Sequence, residues 1–488
     1  MKIRNLLLSN LVVMMITGSQ AGTVTTTHDS GAGSLREVMS GAIDHDVIDF
    51  ASSLNGATIT LSSGSLGISG VTLTLDASAL SAGIILSGDH SSRIFTITGN
   101  ANVTLRSLHL RDGLEREGNG GGIFALSSHL LLDGCSIQDC VSAYDGGGLW
   151  GNGVTGSIER CRISGNQAGS FGGGVFLIGV NGSKFLDISS TQISGNVAPF
   201  GGGIYNLAAN PTLRNCSIQG NSGGGMRSEK SANPLLRNCI VWGNTMISNA
   251  IANCQIHQTE DCHPDISYCL IQGASDASSF SVGSIVTWGI GNLDGCLNTS
   301  DPGFVAAVNA SDVPNSASDL RLFIGSPCLN AGNNDFGSPT NDLSGNARIQ
   351  GISINLGAFE GGYESFSHLY PDLDPAGDNN GNGLTNFLEY ALDCPPDGPV
   401  DAVTLPAVSI KNSVCFLTTV RRSNGIDIMP LLETSTRLNP TSWVPMIQDV
   451  DYSPESVTVL STARQQVVFR LLVSDPARFY RQGFSTGK

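Results

Sequence analysis

Positive charge is what this chain has little of: 25 Lys+Arg stand against 41 Asp+Glu, a formal net charge of −16. A nucleic-acid binder needs a basic patch or stripe to meet phosphate, so that class is excluded. Long apolar runs are also missing. Outside the first residues no segment reaches 18 consecutive apolar residues, so no transmembrane helix is expected. Cysteine is present, twelve in all, but never as a compact Cys-x-x-Cys pair, which argues against a thiolate metal site. The Leu-x-x-Leu-x-Leu word of leucine-rich repeats is absent too.

What the chain does have is glycine, 61 residues, arranged in a repeat. A glycine triplet followed by an apolar residue returns at Gly120–Ile123, Gly146–Leu149, Gly172–Val175, Gly201–Ile204 and Gly223–Met226. An apolar-x-x-Asn word falls between the triplets, at Ile163…Asn166, Ile193…Asn196, Ile218…Asn221 and Val241…Asn244. A Cys-x-[Ile/Val] unit recurs at Cys135, Cys161, Cys216, Cys239 and Cys269. One loose period in the twenties shared by several signals marks a stacked solenoid. The units are short alternating segments separated by Gly, Asn and Ser, with no room for a helix, so each reads as one coil of a parallel β-helix. Equivalent residues of neighbouring coils then lie about 4.8 Å apart. On that geometry the Asn residues form hydrogen-bonded ladders, and the five repeated cysteines point the same way as small buried side chains. Cys254 and Cys262, outside the repeat, are the better candidates for a disulfide.

In chain order, Met1–Arg4 is a basic start, Leu6–Ile16 an apolar run, and Ser19-Gln20-Ala21 a cleavage-like site, so residues 1–21 read as a signal peptide. Residues 22–50 read as an N-terminal cap. Within it Ser34-Leu35-Arg36-Glu37 is a capping box, and Leu35, Val38, Met39 and Ile43 share one helical face. Alternating strands follow at Ile59-x-Leu61, Val71-x-Leu73-x-Leu75, Ile94-x-x-Ile97 and Val103-x-Leu105.

The Ser34–Glu37 cap, the run Val103–Leu108 and the two short repeat words resemble bacterial secreted right-handed parallel β-helix proteins. The short words are also similar to the GG-A/I and F-x-x-N repeats of polymorphic outer-membrane proteins, with Ile here in place of Phe. Downstream, Asp301–Phe304, Leu320–Leu322, Ser326–Gly332 and Leu356–Glu360 resemble the closing segment of bacterial "choice-of-anchor Q" β-helix proteins, whose members more often carry Asp where Asn330 stands. The resemblance covers residues 24–362. It implies a secreted or cell-surface location more than a reaction, and a chain ending in a small domain rather than a long barrel pattern is not expected to anchor itself in an outer membrane.

The β-helix is thus expected over residues 51–362, and the composition changes after Gly362. Asp378, Asn380, Asn382, Leu384 and Glu389 fit the calcium-loop pattern in full, within a linker of residues 363–400. Oxygen ligands at loop positions one, three and five wrap a hard cation, Gly383 permits the turn, Leu384 offers a carbonyl, and Glu389 closes the site with both oxygens. A structural Ca²⁺ of modest affinity is the expected cofactor. Residues 401–488 alternate again, as in Val408-x-Ile410, Cys415-x-Leu417 and Val467-x-Phe469-x-Leu471, and read as a small antiparallel β-sandwich. Trp443 reads as core within it. The fold class is therefore all-β: a right-handed parallel β-helix with an N-terminal helical cap and a C-terminal sandwich.

Parallel β-helices include pectate lyases and polygalacturonases, so chemistry on the solenoid has candidates to be weighed. Asp112 and Asp139 each follow an inward residue (Leu110, Ile137) by two, so they share a register on adjacent coils. Their carboxyls would stand at the spacing of a retaining glycosidase pair. Glu115, Glu117 and Asp145 lie in the same corner region. Against catalysis, the Asn-Thr-Asp, Asp-Asp and Gly-His-Gly words of polygalacturonases are absent, as is the Lys/Arg pair a lyase would need. Phe171 and Phe200, each just before a glycine triplet, offer either a sugar-stacking strip or a simple corner cover. The expectation is a secreted or surface protein that meets a carbohydrate or cell-surface partner without catalysis. The alternative is a polysaccharide lyase or glycoside hydrolase acting on an acidic polysaccharide.

Overall fold

The computed structural model describes residues 20–179, 186–246, 254–259, 261–280, 286–295, 301–337, 340–363 and 373, together with seven strands between residues 407 and 486. The chain divides into two units: residues 1–320 with 327–360, and residues 321–326 with 361–488.

The first unit is a three-walled parallel solenoid. One coil shows the plan: Asn102–Arg106 lies in a first sheet, Leu108–Arg111 in a second and Ile123–Leu126 in a third, and His129–Asp133 then returns to the first. The three sheets contain 11, 9 and 8 described strands, and every described strand pair in them is parallel. Register is kept because each wall is an unbroken inward column. Leu105, Leu132, Ile158, Ile188, Leu213, Leu236 and Ile266 fill the first wall. Leu110, Ile137, Ile163, Ile193, Ile218, Val241 and Ile271 fill the second. All of these are buried. Each contributes about 1.5–3 kcal/mol relative to exposure, and a one-residue slip would turn the whole set outward.

Corners are as regular as walls. A single residue with positive φ separates the first sheet from the second in coil after coil: Ser107, Gly134, Arg160, Ser190, Asn215, Asn238 and Tyr268. The glycine triplets pack even more tightly. A Cβ on Gly147 would lie 2.4 Å from the Gln167 carbonyl and 2.5 Å from that of Gly173. Neighbouring coils therefore meet backbone to backbone there, and no side chain fits.

The asparagine ladder forms as expected. Asn166 Nδ2 donates to Asn196 Oδ1 (2.9 Å), Asn196 to Asn221 (2.9 Å), Asn221 to Asn244 (2.8 Å) and Asn244 to Gln255 Oε1 (2.8 Å). Each asparagine also donates to a carbonyl of the preceding coil, for example Asn196 to Ile163 O at 3.0 Å. The five repeated cysteines are free and buried. Cys254 and Cys262 are free as well, so the disulfide expected between them is not formed. Cys262 instead lies 3.4 Å from the Thr259 hydroxyl.

The N-terminal region differs from the expected boundaries. Asp46–Phe50 is already a rung of the first sheet, paired with Thr72–Asp76, and Gln20–Val24 pairs with it in turn. That outer strand includes Gln20 and Ala21, on the N-terminal side of the expected cleavage point. The helix Leu35–Gly41 is present, its Ser34 hydroxyl accepting from Glu37 N (3.2 Å) while Glu37 accepts from Gly33 N (2.6 Å). Leu35 is buried, but Ile43 lies beyond the helix end and is 65% exposed, so it leaves the apolar face assigned to it. At the other end the last described rung is Thr287–Trp288, well short of residue 362. The residues after it fold back over the second sheet. Val308 meets Gln219 through two hydrogen bonds, Asn315 N donates to Gly195 O (3.0 Å), and Ser318 bonds Gln192 and Ser194.

In the second unit the described strands pair antiparallel. Ala407–Lys411, Val414–Arg422, Arg464–Leu471 and Tyr452–Val459 make one sheet; Val444–Pro445, Ile428–Ser435 and Phe479–Thr486 make another.

Candidate functional site

Leaving the second sheet, the chain turns through a second positive-φ position. Most coils place glycine there (Gly165, Gly195, Gly220, Gly243), but two adjacent coils place Asp112 and Asp139, both at φ 56°. Aspartate tolerates this conformation better than most residues, at a cost of order 1 kcal/mol. The expected shared register is present, since Arg111 pairs with Gln138 immediately before the two aspartates. The carboxyls therefore stack one coil apart.

Other groups converge on the pair. Arg111 Nε lies 3.3 Å from Asp112 and its Nη2 4.0 Å from Asp139, so one guanidinium bridges both. His90 Nε2 is 3.7 Å from Asp112, and the Ser87 hydroxyl is at 3.4 Å. Ser316, from the folded-back segment, donates to Asp139 Oδ2 at 3.1 Å. Burial pushes the Asp139 carboxyl above the usual range; Asp112 adds to this, while Ser316, Arg111 and His90 pull the other way. Beneath them the Cys140 thiol is pushed up to about 12 by burial, which makes it inert as a nucleophile.

The other acidic candidates do not join the pair. Glu115 is taken by Arg93 at 2.7 Å. Glu117 is exposed, and its backbone N–H donates to Glu115. Asp145, raised by burial, sits in the column occupied by Phe171 one coil on. Phe171 and Phe200 do stack on adjacent coils, with centroids 5.7 Å apart. Arg227 caps Phe200 at 4.7 Å, and Tyr205 lies 4.7 Å from Phe171. Phe200 itself stays 41% exposed beside these partners.

Sequence reading missed the column behind those rings. Phe124, Trp150, Phe176, Tyr205, Arg227 and His257 follow one another on the outer face of the third sheet. Trp150, Phe176 and Tyr205 are buried there. Arg227 pairs with Glu229 at 2.7 Å, and burial followed by Arg227 pushes His257 down. For the five from Phe124 to Arg227, a common offset of one residue after the triplet's apolar residue was the available signal; His257 follows Ile256 with no triplet before it. Among the described residues no group of three or more His, Cys, Asp or Glu side chains is placed to hold a metal. The calcium-loop candidates Asp378, Asn380, Asn382, Leu384 and Glu389, like Trp443, lie outside the described residues. No described helix is long and apolar enough to cross a membrane.

Residues 93–289 match the family model described as right handed beta helix region. The solenoid is a right-handed parallel β-helix. That match covers the coils from Arg93 to the last described rung of the β-helix, including Asp112 and Asp139. A search of curated proteins returns no match. Among solved structures the chain is similar to one titled "Crystal structure of pectate lyase Pel9A", with 13% identity and a TM-score of 0.37, over 70% of this chain and 97% of that one. A likeness that distant carries nothing about chemistry to this β-helix.

Proposed function

We propose that this protein is an exported, non-catalytic β-helix that acts at or beyond the cell surface, in display, adhesion or carbohydrate contact. The observation that carries the reading is the state of the best catalytic candidates. Arg111 bridges Asp112 and Asp139, and Ser316 holds Asp139 from above, so the pair works as a clamp between coils and the folded-back segment. Both carboxyls are partly exposed, 24% and 33%, but an acid–base couple needs carboxyls free to exchange protons with substrate, and these two are engaged by Arg111 and Ser316. The signal-like start, the low positive charge and the resemblance to secreted β-helix proteins support export.

Within the same reading, the helix Leu35–Gly41 caps the first coils and the second unit's two sheets form a sandwich. The loop from Asp378 to Glu389 holds a structural Ca²⁺, with Asp378 and Glu389 supplying its only charges. Few charged ligands place its affinity in the ~10⁻⁴–10⁻³ M range of extracellular modules. Titrating Ca²⁺ into the full chain by calorimetry is expected to give heat that disappears in Asp378→Ala; equal null heats end the calcium claim.

A second reading is favoured by one observation. Asp139 is raised by burial beside an Asp112 one coil away, the arrangement of a glycosidase acid next to its partner. Depolymerisation assays on pectin, alginate and glycosaminoglycans separate the two readings. No product is expected from the full chain. Robust product that is lost in Asp139→Asn would replace the non-catalytic reading with the hydrolytic one.

A further inference from the structure

The segment that closes the β-helix carries a sealed site of unbalanced charge. Asp342, Arg348 and Glu360 are 0%, 3% and 1% exposed. Asp342 Oδ1 accepts from Ser344 N (2.9 Å) and Asn346 N (2.7 Å), and its Oδ2 accepts from Glu360 N (2.8 Å) and Asn346 Nδ2 (3.2 Å). Four donors thus surround this one carboxyl. Glu360 receives Asn355 N at 3.0 Å and faces Arg348 Nε at 3.4 Å, an ion pair without the alignment of a hydrogen bond. Arg348 spends its other nitrogens on the Ala358 and Gly357 carbonyls. One guanidinium therefore serves two buried carboxylates. Leaving a net negative charge in such a site costs several kcal/mol, so the site is better balanced when one acid keeps its proton. Glu360, with fewer donors than Asp342, is the acid that keeps it. Burial pushes its carboxyl up to about 8, with Arg348 and the Asn355 N–H pulling down and Asp342 pushing further up.

The same residues seat the segment on the solenoid. Ala358 N donates to the Ser217 hydroxyl (3.0 Å) and Gly357 N to Asn238 O (2.8 Å). Asn238 also exchanges two hydrogen bonds with Asn333 (3.0 and 2.9 Å). From the solenoid side the buried Cys216 and Cys239 thiols face Arg348, and the Arg162 guanidinium lies over the ring of Phe359, the residue before Glu360, at 5.3 Å. Phe336 packs against Tyr268 (6.0 Å between centroids) and under Arg237 (5.5 Å). Ring contacts and hydrogen bonds on the second sheet and its corner thus seat the segment around one charge-unbalanced site.

We propose that residues 327–337 and 340–360 form a strap over the second sheet, latched by a proton retained among Asp342, Arg348 and Glu360, and that the strap loosens as this proton is lost. The sign follows from linkage. A carboxyl raised in the folded state keeps its proton where the open state has released it, so its contribution is complete below the ordinary glutamate range. That contribution falls as pH rises and is gone above about 8.

Hydrogen exchange on the full chain tests this, with rates corrected for the intrinsic pH dependence of amide exchange. Protection of the Gly332, Asn333, Gly357 and Ala358 amides is expected to fall between pH 6 and 7.5, by up to about tenfold per pH unit for one proton. Ile163 and Ile193 amides in the wall serve as the unchanged reference. Glu360→Gln is expected to flatten the dependence. Should that variant not fold, Asp342→Asn leaves Arg348 with one carboxylate and is expected to flatten it too. Equal wild-type protection at both pH values overturns the latch, as does an undiminished slope in whichever variant folds.

Discussion

At the scale of single residues, the ladder asparagines carry more than their size suggests. Asn196 Oδ1 accepts from both the backbone N–H and the amide of Asn166, and its own amide reaches Ile163 O and Asn221 Oδ1. Its truncation would orphan the buried Asn166 N–H and take from Ile163 O the amide donor it has besides the strand ladder. At ~1–3 kcal/mol for an unsatisfied group, Asn196→Ala is expected to cost about 1–3 kcal/mol. Urea unfolding should show this as a lower midpoint at unchanged slope. Asn196→Asp should be no better, since a carboxylate cannot donate to Ile163 O and would face Asn221 Oδ1 unprotonated. A midpoint within error of wild type for either variant would mean that the ladder is ornament. The clamp residues Asp112 and Asp139 differ in kind: each is partly exposed and shares Arg111, so surface screening keeps their ionic part small.

At the scale of elements, the glycine triplets set how closely coils approach. Gly147→Ala drives a methyl group against two carbonyl oxygens of the next coil and is expected to destabilise by about 1–3 kcal/mol or more. Gly67, on a strand of the third sheet, has nothing within 4 Å of its would-be Cβ. Gly67→Ala is expected to be neutral or to stabilise by about 0.4–1 kcal/mol through the unfolded chain. Thermal melts of the pair give the comparison, and equal shifts would refute the steric account. These same words made the fold readable from sequence, because a repeated Gly, Asn or Cys becomes a column only if coils stack in register. The aspartate pair was readable for the same reason. What surrounds the pair was not: Ser316 reaches Asp139 from 177 residues away, through a segment with no repeat to place it. The rung Asp46–Phe50 straddles the expected end of the cap because alternation is legible from Ile48 onward but no glycine word marks where the coils begin. The Asp342–Arg348–Glu360 site had no spacing signal at all, since its members meet only when the closing segment folds on itself.

For the whole solenoid, in-register stacking means that stability is close to a sum of coil terms and nearest-neighbour interfaces. A whole coil should then be removable where a fraction of one is not. Leu132 and Asp133 occupy the positions of Leu105 and Arg106 one coil earlier. Deleting residues 106–132 therefore splices Leu105 to a residue equivalent to its own neighbour, and the inward column of the first wall continues from Leu105 through the next coil's Ile158. The cut lies before the rungs on which the folded-back segment rests at Gln192, Gly195 and Gln219, so those contacts keep their spacing. It removes Asp112 and Arg111, leaving Asp139 with Ser316. The shortened chain is expected to unfold in one cooperative transition, with β-sheet circular dichroism like that of the parent and the midpoint lowered. Deleting 106–133 instead puts the corner residue Gly134 where the last residue of the first-wall strand belongs and turns the following second-wall strand, with Ile137, against the pleat. That chain is expected not to fold cooperatively. If both deletions melt alike, register is not what holds the coils together, and the columns along the axis lose their explanatory place.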